Sequence, residues 1–298
     1  MTRTTVVVAT RNRVGGLVRT LESVRPLGFP VVVVDNGSSD DTVPRVRREF
    51  PEVRVIALER NAGAAARNAG VRAADTPYVA FCDDDSWWAA DALPRAEALF
   101  DAHPRLGLVA ARVVVEPSGS LDPVCGSMAV SPLGTDPRLP GPSVLGFICC
   151  GAVVRRDAFL AVGGFAPLLF FCGEERLFSW DLAAAGFACC YVEDVRAHHL
   201  PSTARGPAAA RHRVELRNDL LTTWLRRPRA AAWSATAELV GRALVDRDAR
   251  AALGAALVRL PAAVRQRRVL PPDVEQQVRA VSRADPPARR RTSRRAAT

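Results

Sequence analysis

The stretch YVAFCDDDSWW, residues 78–88, places three aspartates directly after a continuous apolar run. A run without alternation predicts a strand that is buried on both faces, as in a parallel sheet. Carboxylates that lie side by side repel one another, and burial at a strand end adds to the cost of their charge. A divalent cation would remove that cost, so the stretch predicts both a buried sheet and a cation at its edge.

Four other runs in the first 115 residues have the same character, at 5–10, 31–35, 53–58 and 106–115. Segments with helical patterning lie between them, near 17–24, 41–50, 64–73 and 91–102. Strands that alternate with helices in this way form a mostly parallel sheet with helices on both faces, which is the α/β class. In such sheets, ligands bind beyond the carboxyl ends of the strands.

Polar loops follow four of these strands, namely TRN (10–12), DNGSSDD (35–41), ERNAGAAARNAG (59–70) and DDDSWW (83–88). The first loop lacks the G-x-G-x-x-G pattern of dinucleotide-binding proteins, and a chain without lysine has no P-loop lysine. Oxygen ligands at a strand end suit Mg²⁺ or Mn²⁺, which take further ligands from water and substrate phosphates. The sequence therefore predicts a divalent metal and a nucleoside diphosphate compound at this rim.

Five segments in order resemble glycosyltransferase family 2, which has the GT-A fold: VVVATRNR, VVVVDNGSSDDT, RNAGAAARNAG, FCDDDSWW and GEERLFSWDLAAAG. The resemblance covers residues 4–220, and the ordered set is specific although no single segment is. It implies a Rossmann-like sheet and an inverting, metal-dependent transfer of a sugar from a nucleotide-sugar donor to an acceptor hydroxyl. Such reactions serve cell-wall or polysaccharide biosynthesis.

The resemblance also implies roles for particular residues. Asp35 contacts the nucleoside, and Arg67 lies near the diphosphate. Asp83 and Asp85 form a D-x-D pair, of which Asp85 binds the metal. Glu175, the second acid of the GEE sequence, is the base that deprotonates the acceptor. Direct displacement at a sugar carbon needs one base and one cation, which supports this set of roles.

A late histidine, either His198 or His199, is implied as a ligand of the metal or the diphosphate. Because successive residues of a strand face opposite sides, only one of the two can point to the site, and we favour His198. Thr10, Asn12 and Asp84 complete the predicted donor-binding rim.

The chain departs from the family pattern after Glu175. Many relatives carry an E-D-x-D-L-x-x-R-like run, whereas this chain has Leu177 in place of the third acid and Asp181 in place of the arginine. These changes keep open a non-catalytic sugar-binding or nucleotide-binding scaffold. Nucleotidyl transfer to a sugar phosphate is a second alternative, which is disfavoured because TRNRVGG replaces the glycine-rich loop expected after the first strand. A glycoside hydrolase is disfavoured, since Glu174 and Glu175 are adjacent on a helix and point about 100° apart.

Composition divides the chain into a catalytic domain at 1–204, an Ala/Arg-rich helical extension at 205–281, and a basic disordered tail at 282–298. Residues 1–204 contain 20 arginines and 23 acids, a net charge of −3, whereas residues 205–298 contain 21 arginines and 8 acids, a net charge of +13. The spacing of Leu253, Leu257, Leu260 and Val264 predicts one apolar helix face.

A basic amphipathic extension predicts peripheral contact with an anionic membrane surface, which would suit a lipid-linked acceptor. An ordinary alanine-rich extension, with a glycan or small-molecule acceptor, is the alternative. No interleaving of aromatic and basic residues points to a nucleic-acid partner. No apolar run approaches the ~18 residues of a membrane span, and no secretory signal is evident, so we expect a cytoplasmic protein.

Overall fold

The protein is described by a computed structural model, which covers residues 2–202 and 208–284. Within these ranges the strands are β1 (Thr4–Thr10), β2 (Val31–Asp35), β3 (Arg54–Ala57), β4 (Tyr78–Asp83), β5 (Ser86–Trp88), β6 (Leu106–Val115), β7 (Ser120–Leu121), β8 (Ala152–Arg155) and β9 (Ala188–His199). The helices are α1 (Val14–Val24), α2 (Thr42–Glu49), α3 (Arg67–Ala73), α4 (Ala92–Ala102), α5 (Pro123–Ala129), α6 (Arg156–Val162), α7 (Glu174–Ala184), α8 (Ala208–Arg226), α9 (Arg229–Ala243), α10 (Arg247–Arg265) and α11 (Pro272–Ala284).

A single sheet contains these strands in the spatial order β3-β2-β1-β4-β8-β6-β9-β5, with β7 paired to β6. The first four strands in this order run parallel to one another. Strand β8 is antiparallel to β4 and β6, and β9 is parallel to β6. The predicted α/β class is confirmed, and the antiparallel pairs lie in the half of the sheet that follows β4.

The parallel half of the sheet aligns the strand ends that the sequence marked as polar. Both faces of β1 and β2 are covered, as their continuous valine runs predict. Thr10 pairs with Asp35, and Ala9 pairs with Asp83. The three strands β1, β2 and β4 therefore end at the same level, and the residues that follow them share one edge.

A tight reversal after β4 brings the end of β9 to the same edge. Asp84 and Asp85 form the turn, and the chain returns as the three-residue strand β5. Strand β5 pairs antiparallel with β9, so that His199 lies opposite Ser86 and His198 lies opposite Trp87. Both candidate histidines thus lie next to the aspartate cluster, on opposite faces of β9.

An aromatic cluster holds α7 against the sheet. Phe81 of β4 contacts Phe159 and Phe165, and these two rings contact Phe178 of α7, with ring centroids 4.8 to 5.7 Å apart. All four rings are buried, and each contributes about 1.5–3 kcal/mol through removal of apolar surface from water. The N-terminal end of α7, which carries Glu174 and Glu175, is therefore fixed relative to the strand ends.

The C-terminal helices pack on the other side of α7. Leu177 of α7 shares a buried apolar cluster with Leu221 and Leu225 of α8 and with alanines of α9 and α10. The predicted boundary between residues 204 and 205 falls in 203–207, which lie outside the described residues. Of the predicted tail at 282–298, residues 282–284 belong to α11 and the remainder lies outside the described residues.

Helix α10 buries only part of the face that its leucines predict. Leu253 and Leu260 are partly buried against the helical cluster, whereas Leu257 and Val264 are exposed. The fully buried positions are alanines, Ala249, Ala252, Ala256 and Ala263, because small side chains allow α8 and α10 to approach each other closely. No helix within 2–202 or 208–284 is both long enough and apolar enough to cross a membrane.

Candidate active site

The first of the three consecutive aspartates pairs with a buried arginine. Asp83 Oδ1 accepts a hydrogen bond from Arg67 Nη2 at 2.5 Å. Arg67 begins α3 and is largely buried, and its Nε has no hydrogen-bond partner. A buried guanidinium with an unused N–H is suited to bind phosphate oxygens. The structure thus brings together the two residues that were predicted near a diphosphate.

The second aspartate points into the protein. Asp84 Oδ2 accepts a hydrogen bond from Thr10 Oγ1 at 2.8 Å, and Oδ1 pairs with Arg13 Nη1 at 3.0 Å. Burial raises the pKa of Asp84 to about 6. The side chains of Thr10 and Asp84 thus bind each other and join the loop after β1 to the turn after β4, and their predicted contacts with a donor stay predictions.

The third aspartate faces a histidine. Asp85 Oδ1 lies 3.4 Å from His199 Nε2, and Oδ2 lies 3.0 Å from Arg13 Nη2. Burial acts to raise the pKa of Asp85, but the hydrogen bond with His199 and the charges of His199 and Arg13 outweigh burial and lower it. Burial acts to lower the pKa of His199, and its contact with Asp85 raises it. Asp85 is therefore an ionised carboxylate at neutral pH.

The structure reverses the preference for His198. Its ring stacks on Trp87 with centroids 5.4 Å apart, and its Nδ1 lies 2.9 Å from Oε1 of Glu116. Neighbouring strand residues face opposite sides, so the choice depends on the pairing of β9 with β5. His199 is the histidine that faces Asp85.

Asp35 presents an unused carboxylate oxygen. The side chain is buried, Oδ2 accepts a hydrogen bond from the Ser38 N–H at 3.1 Å, and Oδ1 has no partner. A buried acceptor without a donor is costly, which is consistent with a hydrogen bond from a bound nucleoside. The adjacent Asn36 instead holds the next loop, through Ala62 N–H at 2.7 Å and the Gly63 carbonyl at 3.0 Å.

Asn12 connects two loops of the rim. Its Oδ1 accepts a hydrogen bond from the Ser39 N–H at 2.7 Å, and its own N–H donates to Ser38 Oγ at 2.9 Å. Its φ of 53° lies in the left-handed region that asparagine tolerates better than most residues. Its side-chain oxygen therefore holds the loop that follows Asp35, and its predicted donor contact stays a prediction.

Glu174 and Glu175 begin α7 directly after Gly173, whose φ is 86°. Glu174 is buried and its Oε2 has no hydrogen-bond partner, whereas Glu175 is partly exposed. The charges of Arg67 and Asp83 act on both carboxyl groups. The start of α7 therefore lies close enough to Arg67 and Asp83 for their charges to act on both glutamates.

The two glutamates differ in what they can do chemically. Burial, with repulsion from Glu175, raises the pKa of Glu174 to about 8. Burial also raises the pKa of Glu175. Burial therefore favours the protonated form of both carboxyl groups, and repulsion between adjacent carboxylates acts in the same direction. By exposed side-chain surface, Glu174 is the buried member of the pair and Glu175 is the one that keeps contact with solvent.

The two departures from the family pattern have structural partners. Leu177, in place of an acid, is buried in the cluster that joins α7 to α8. Asp181, in place of an arginine, receives two hydrogen bonds from the buried guanidinium of Arg226 on α8. Both residues thus serve the packing of the helical extension on α7.

The site fits a divalent cation that is shared with a ligand. Among residues 2–202 and 208–284, no three His, Cys, Asp or Glu side chains converge closely enough to hold a metal ion by themselves. Asp85 and His199 supply two donor groups in contact, and Nδ1 of His199 is buried without a partner. Magnesium and manganese commonly take their other ligands from substrate phosphates and water.

The protein has a mixed sheet with a buried aspartate, a buried arginine and a pair of glutamates near one edge. This architecture is that of the GT-A class, and solved structures share it. A Pyrobaculum calidifontis mannosyltransferase, in complex with GDP-Man and Mn²⁺, superposes with a TM-score of 0.58 and 20% identity over 95% of this chain and 86% of that one. Residues 1–349 of S. aureus TarS, in complex with UDP-GlcNAc, superpose with a TM-score of 0.57 and 19% identity over 92% and 83%. These similarities concern the fold.

The sequence identifies the family. Residues 5–163 match the model of glycosyl transferase family 2, and the chain belongs to this family. The chain is also 35% identical over 198 residues to the pre-mycofactocin glycosyltransferase of Mycobacterium tuberculosis. That alignment covers 61% of this chain and 39% of the relative, so the chain matches less than half of the relative's length.

Sequence patterns missed Arg13 and Glu116. Arg13 joins Asp84 to Asp85, and Glu116 holds His198 away from the site. An arginine in a polar loop is ordinarily a solvated surface residue, so its type alone carries no signal. For Arg13, the available signal was its position three residues after the end of β1, at the level of the aspartates. For Glu116 the sequence offered no signal, because its role depends on the pairing of β6 with β9.

Proposed function

We propose that the protein is an inverting glycosyltransferase that moves a sugar from a nucleoside-diphosphate donor to an acceptor hydroxyl, with a divalent metal. The observation that carries this proposal is the ion pair of Asp83 with the buried Arg67 at the ends of the parallel strands, with Glu175 at the start of α7 close enough for both charges to act on its carboxyl group. The family membership and the fold support the same reaction class.

The donor is held by the residues with unused polar groups. The free Oδ1 of Asp35 accepts a hydrogen bond from the nucleoside, and the spare N–H of Arg67 contacts the diphosphate. Asp85 and His199 hold the cation. When bound, the cation supplies charge neutralisation to the departing diphosphate. Two structural neighbours were solved with a GDP-sugar and a UDP-sugar, which supports a nucleotide-sugar donor.

Glu175 performs the proton transfer. Its carboxylate takes the proton of the acceptor hydroxyl, and the acceptor oxygen bonds to the anomeric carbon as the bond to the diphosphate breaks. Attack from the face opposite the leaving group inverts the anomeric configuration. The acceptor is a glycan, a lipid-linked molecule or another small molecule. The configuration of the product, read by NMR from a donor of known configuration, tests the inversion.

Release of a nucleoside diphosphate from a panel of sugar nucleotides tests the proposal as a whole. We expect release from a restricted set of donors and only with Mg²⁺ or Mn²⁺. Release of pyrophosphate would indicate nucleotidyl transfer instead. The absence of metal-dependent nucleotide binding would favour a non-catalytic scaffold.

We also propose that the helical extension contacts an anionic membrane surface. Leu244 and Val245, at the turn between α9 and α10, are 75% and 88% exposed. Residues 208–284 contain 15 arginines and 7 acids, a net charge of +8, and each arginine near an anionic surface contributes about 1 kcal/mol. Exposed apolar side chains within a basic region are typical of membrane-surface contact.

Replacing both Leu244 and Val245 with aspartate is expected to reduce sedimentation of the full chain with phosphatidylserine vesicles. The change removes apolar contacts and adds two negative charges, while neither side chain supports the fold. Replacing the exposed Val130 of the sheet domain with aspartate is the control, and it should leave sedimentation unchanged. Equal sedimentation of the double variant and the wild type would contradict the membrane contact.

A further inference from the structure

The segment Leu169–Cys172, sequence LFFC, precedes the two glutamates of α7 and has an unusual backbone. Phe170 and Cys172 have φ values of 65° and 70°. Residues other than glycine seldom adopt this left-handed region, and such conformations persist only where surrounding contacts enforce them. The contacts around this segment must therefore stabilise the left-handed conformations of Phe170 and Cys172.

Helix α8 supplies most of these contacts. Asn218 is completely buried, and its Nδ2 lies 3.0 Å from the Leu169 carbonyl, 2.7 Å from the Phe171 carbonyl and 2.6 Å from the Cys172 carbonyl. Arg217 Nη2 donates a second hydrogen bond to the Leu169 carbonyl at 2.8 Å. Three of the four carbonyl groups of the segment are thus held by two adjacent side chains of the helical extension.

The fourth carbonyl reaches the donor side of the site. The Ala64 N–H donates to the Phe170 carbonyl at 2.7 Å. Gly63 lies so close that a Cβ there would be 2.0 Å from the Phe170 carbonyl oxygen and 2.9 Å from a carbon of the Phe170 ring. The ring of Phe170 therefore lies over Gly63, four residues before the diphosphate-facing Arg67.

This rigid segment leaves two aromatic rings exposed. Phe170 is 42% exposed and Phe171 is 49% exposed. Neither ring is needed to fill the core, and both lie on the segment that connects the donor side to Glu174 and Glu175. Aromatic rings offer apolar faces at a low cost in side-chain entropy. A pyranose ring has a complementary apolar face, formed by its C–H groups.

We propose that Phe170 and Phe171 form an acceptor-binding platform for a pyranose ring, so that the acceptor is itself a sugar or carries one. This inference rests on the proposed glycosyl transfer. The backbone clamp from Asn218 and Arg217 holds the platform, and Glu175 lies at its end to receive the proton of a sugar hydroxyl. The helical extension is then a part of the acceptor site.

Saturation-transfer NMR on the full chain tests the platform without turnover. The probes are methyl glycosides of glucose, galactose, mannose and N-acetylglucosamine. Glycerol, which has hydroxyl groups but no ring, is the control compound. All samples contain Mg²⁺ and one of UDP, GDP or dTDP. We expect saturation of the ring C–H protons of at least one glycoside and none of glycerol. Phe171→Ala should reduce the signal about fivefold, the size of one aromatic contact.

Two comparisons keep the outcomes distinct. Leu160→Ala removes a comparably exposed apolar side chain of α6 and should leave the glycoside signal unchanged. Nucleotide affinity, measured by calorimetry, should be the same for Phe171→Ala and the wild type, which shows that the donor side is folded. The platform is wrong if Phe171→Ala keeps the full signal, or if the wild type binds nucleotide but saturates no glycoside. Absence of any nucleotide binding would count against the glycosyl transfer itself.

Discussion

Glu175→Gln is expected to reduce sugar transfer about 10³-fold, because a positioned base contributes about 10²- to 10⁴-fold. Glutamine has the shape of the glutamate but cannot take the acceptor proton. The loss corresponds to about 4 kcal/mol of transition-state stabilisation. Nucleotide affinity should be unchanged, since the donor contacts lie on β2, α3 and the aspartate turn. Rates of nucleoside diphosphate release and calorimetric nucleotide binding measure the two effects separately.

Glu174→Gln is the matched control for this prediction. Burial raises the pKa of Glu174, which favours its protonated form, and an amide has the shape of a protonated carboxyl group. We expect this variant to lose less than about tenfold in rate, or 1.4 kcal/mol. A larger loss for Glu174→Gln than for Glu175→Gln would contradict the assignment of the base.

The pH dependence provides a second readout of the same change. Burial raises the pKa of Glu175 above its ordinary value, and a base acts only in its deprotonated form. Transfer by the wild type should therefore rise with pH through this raised pKa, with an acidic limb above the usual glutamate range near ~4.3. In Glu175→Gln this limb should be absent from the residual rate.

Asp85→Asn is expected to abolish the enhancement of nucleotide binding by Mn²⁺. The change removes the ionised carboxylate that faces His199, and a neutral amide is a poor ligand for a hard cation. Calorimetric titration of the nucleoside diphosphate with Mn²⁺ and with EDTA gives the ratio of affinities. This ratio should fall close to one in the variant, and transfer should fall about 10²-fold or more as several kcal/mol of charge stabilisation is lost.

Neighbouring histidines provide the matched pair of controls. His199→Asn should weaken the metal dependence in the same direction as Asp85→Asn, because it removes the second donor group. His198→Asn should leave it unchanged, because His198 stacks on Trp87 and binds Glu116. Full metal dependence in Asp85→Asn, or a loss in His198→Asn alone, would contradict the assigned cation site.

The parallel half of the sheet could be predicted from the sequence because short, continuous stretches of the chain indicate its strands. Continuous valine runs at 5–10 and 31–35 predict strands buried on both faces, and the polar residues that follow them meet at one edge. Asp35, Arg67 and Asp83 were placed correctly on this edge by that rule and by family resemblance. Their predicted roles toward a donor remain to be tested.

Details that depend on pairing between distant strands could not be read in this way. Strand β5 has three residues, too few for a recognisable pattern, yet its register with β9 decides that His199 faces Asp85. Asp84 points inward because the turn after β4 is tight, and three identical aspartates carry no sign of which one is buried. Contacts between particular residues, rather than composition, determine both the orientation of the histidines and the burial of Asp84.

The packing of the helical extension was also only partly predictable from the sequence. Leucine spacing in α10 predicts one apolar face, but only Leu253 and Leu260 of that face pack against the helical cluster. The fully buried positions are alanines, since the close approach of α8 requires small side chains. Asn218 occurs in a helix with no motif around it, and its hydrogen bonds to residues 46 to 49 positions away were invisible in the sequence. The contact between the extension and residues 169–172 therefore emerges only from the fold.

Nucleoside diphosphate release from a panel of UDP-, GDP- and dTDP-sugars, with a mixture of methyl glycosides as acceptors, tests the central claim most directly. The wild type should release nucleoside diphosphate from a restricted set of donors, only with Mg²⁺ or Mn²⁺, and faster with the glycosides than with water alone. Release that persists in EDTA, or no release from any donor together with no nucleotide binding, would contradict a metal-dependent glycosyltransferase.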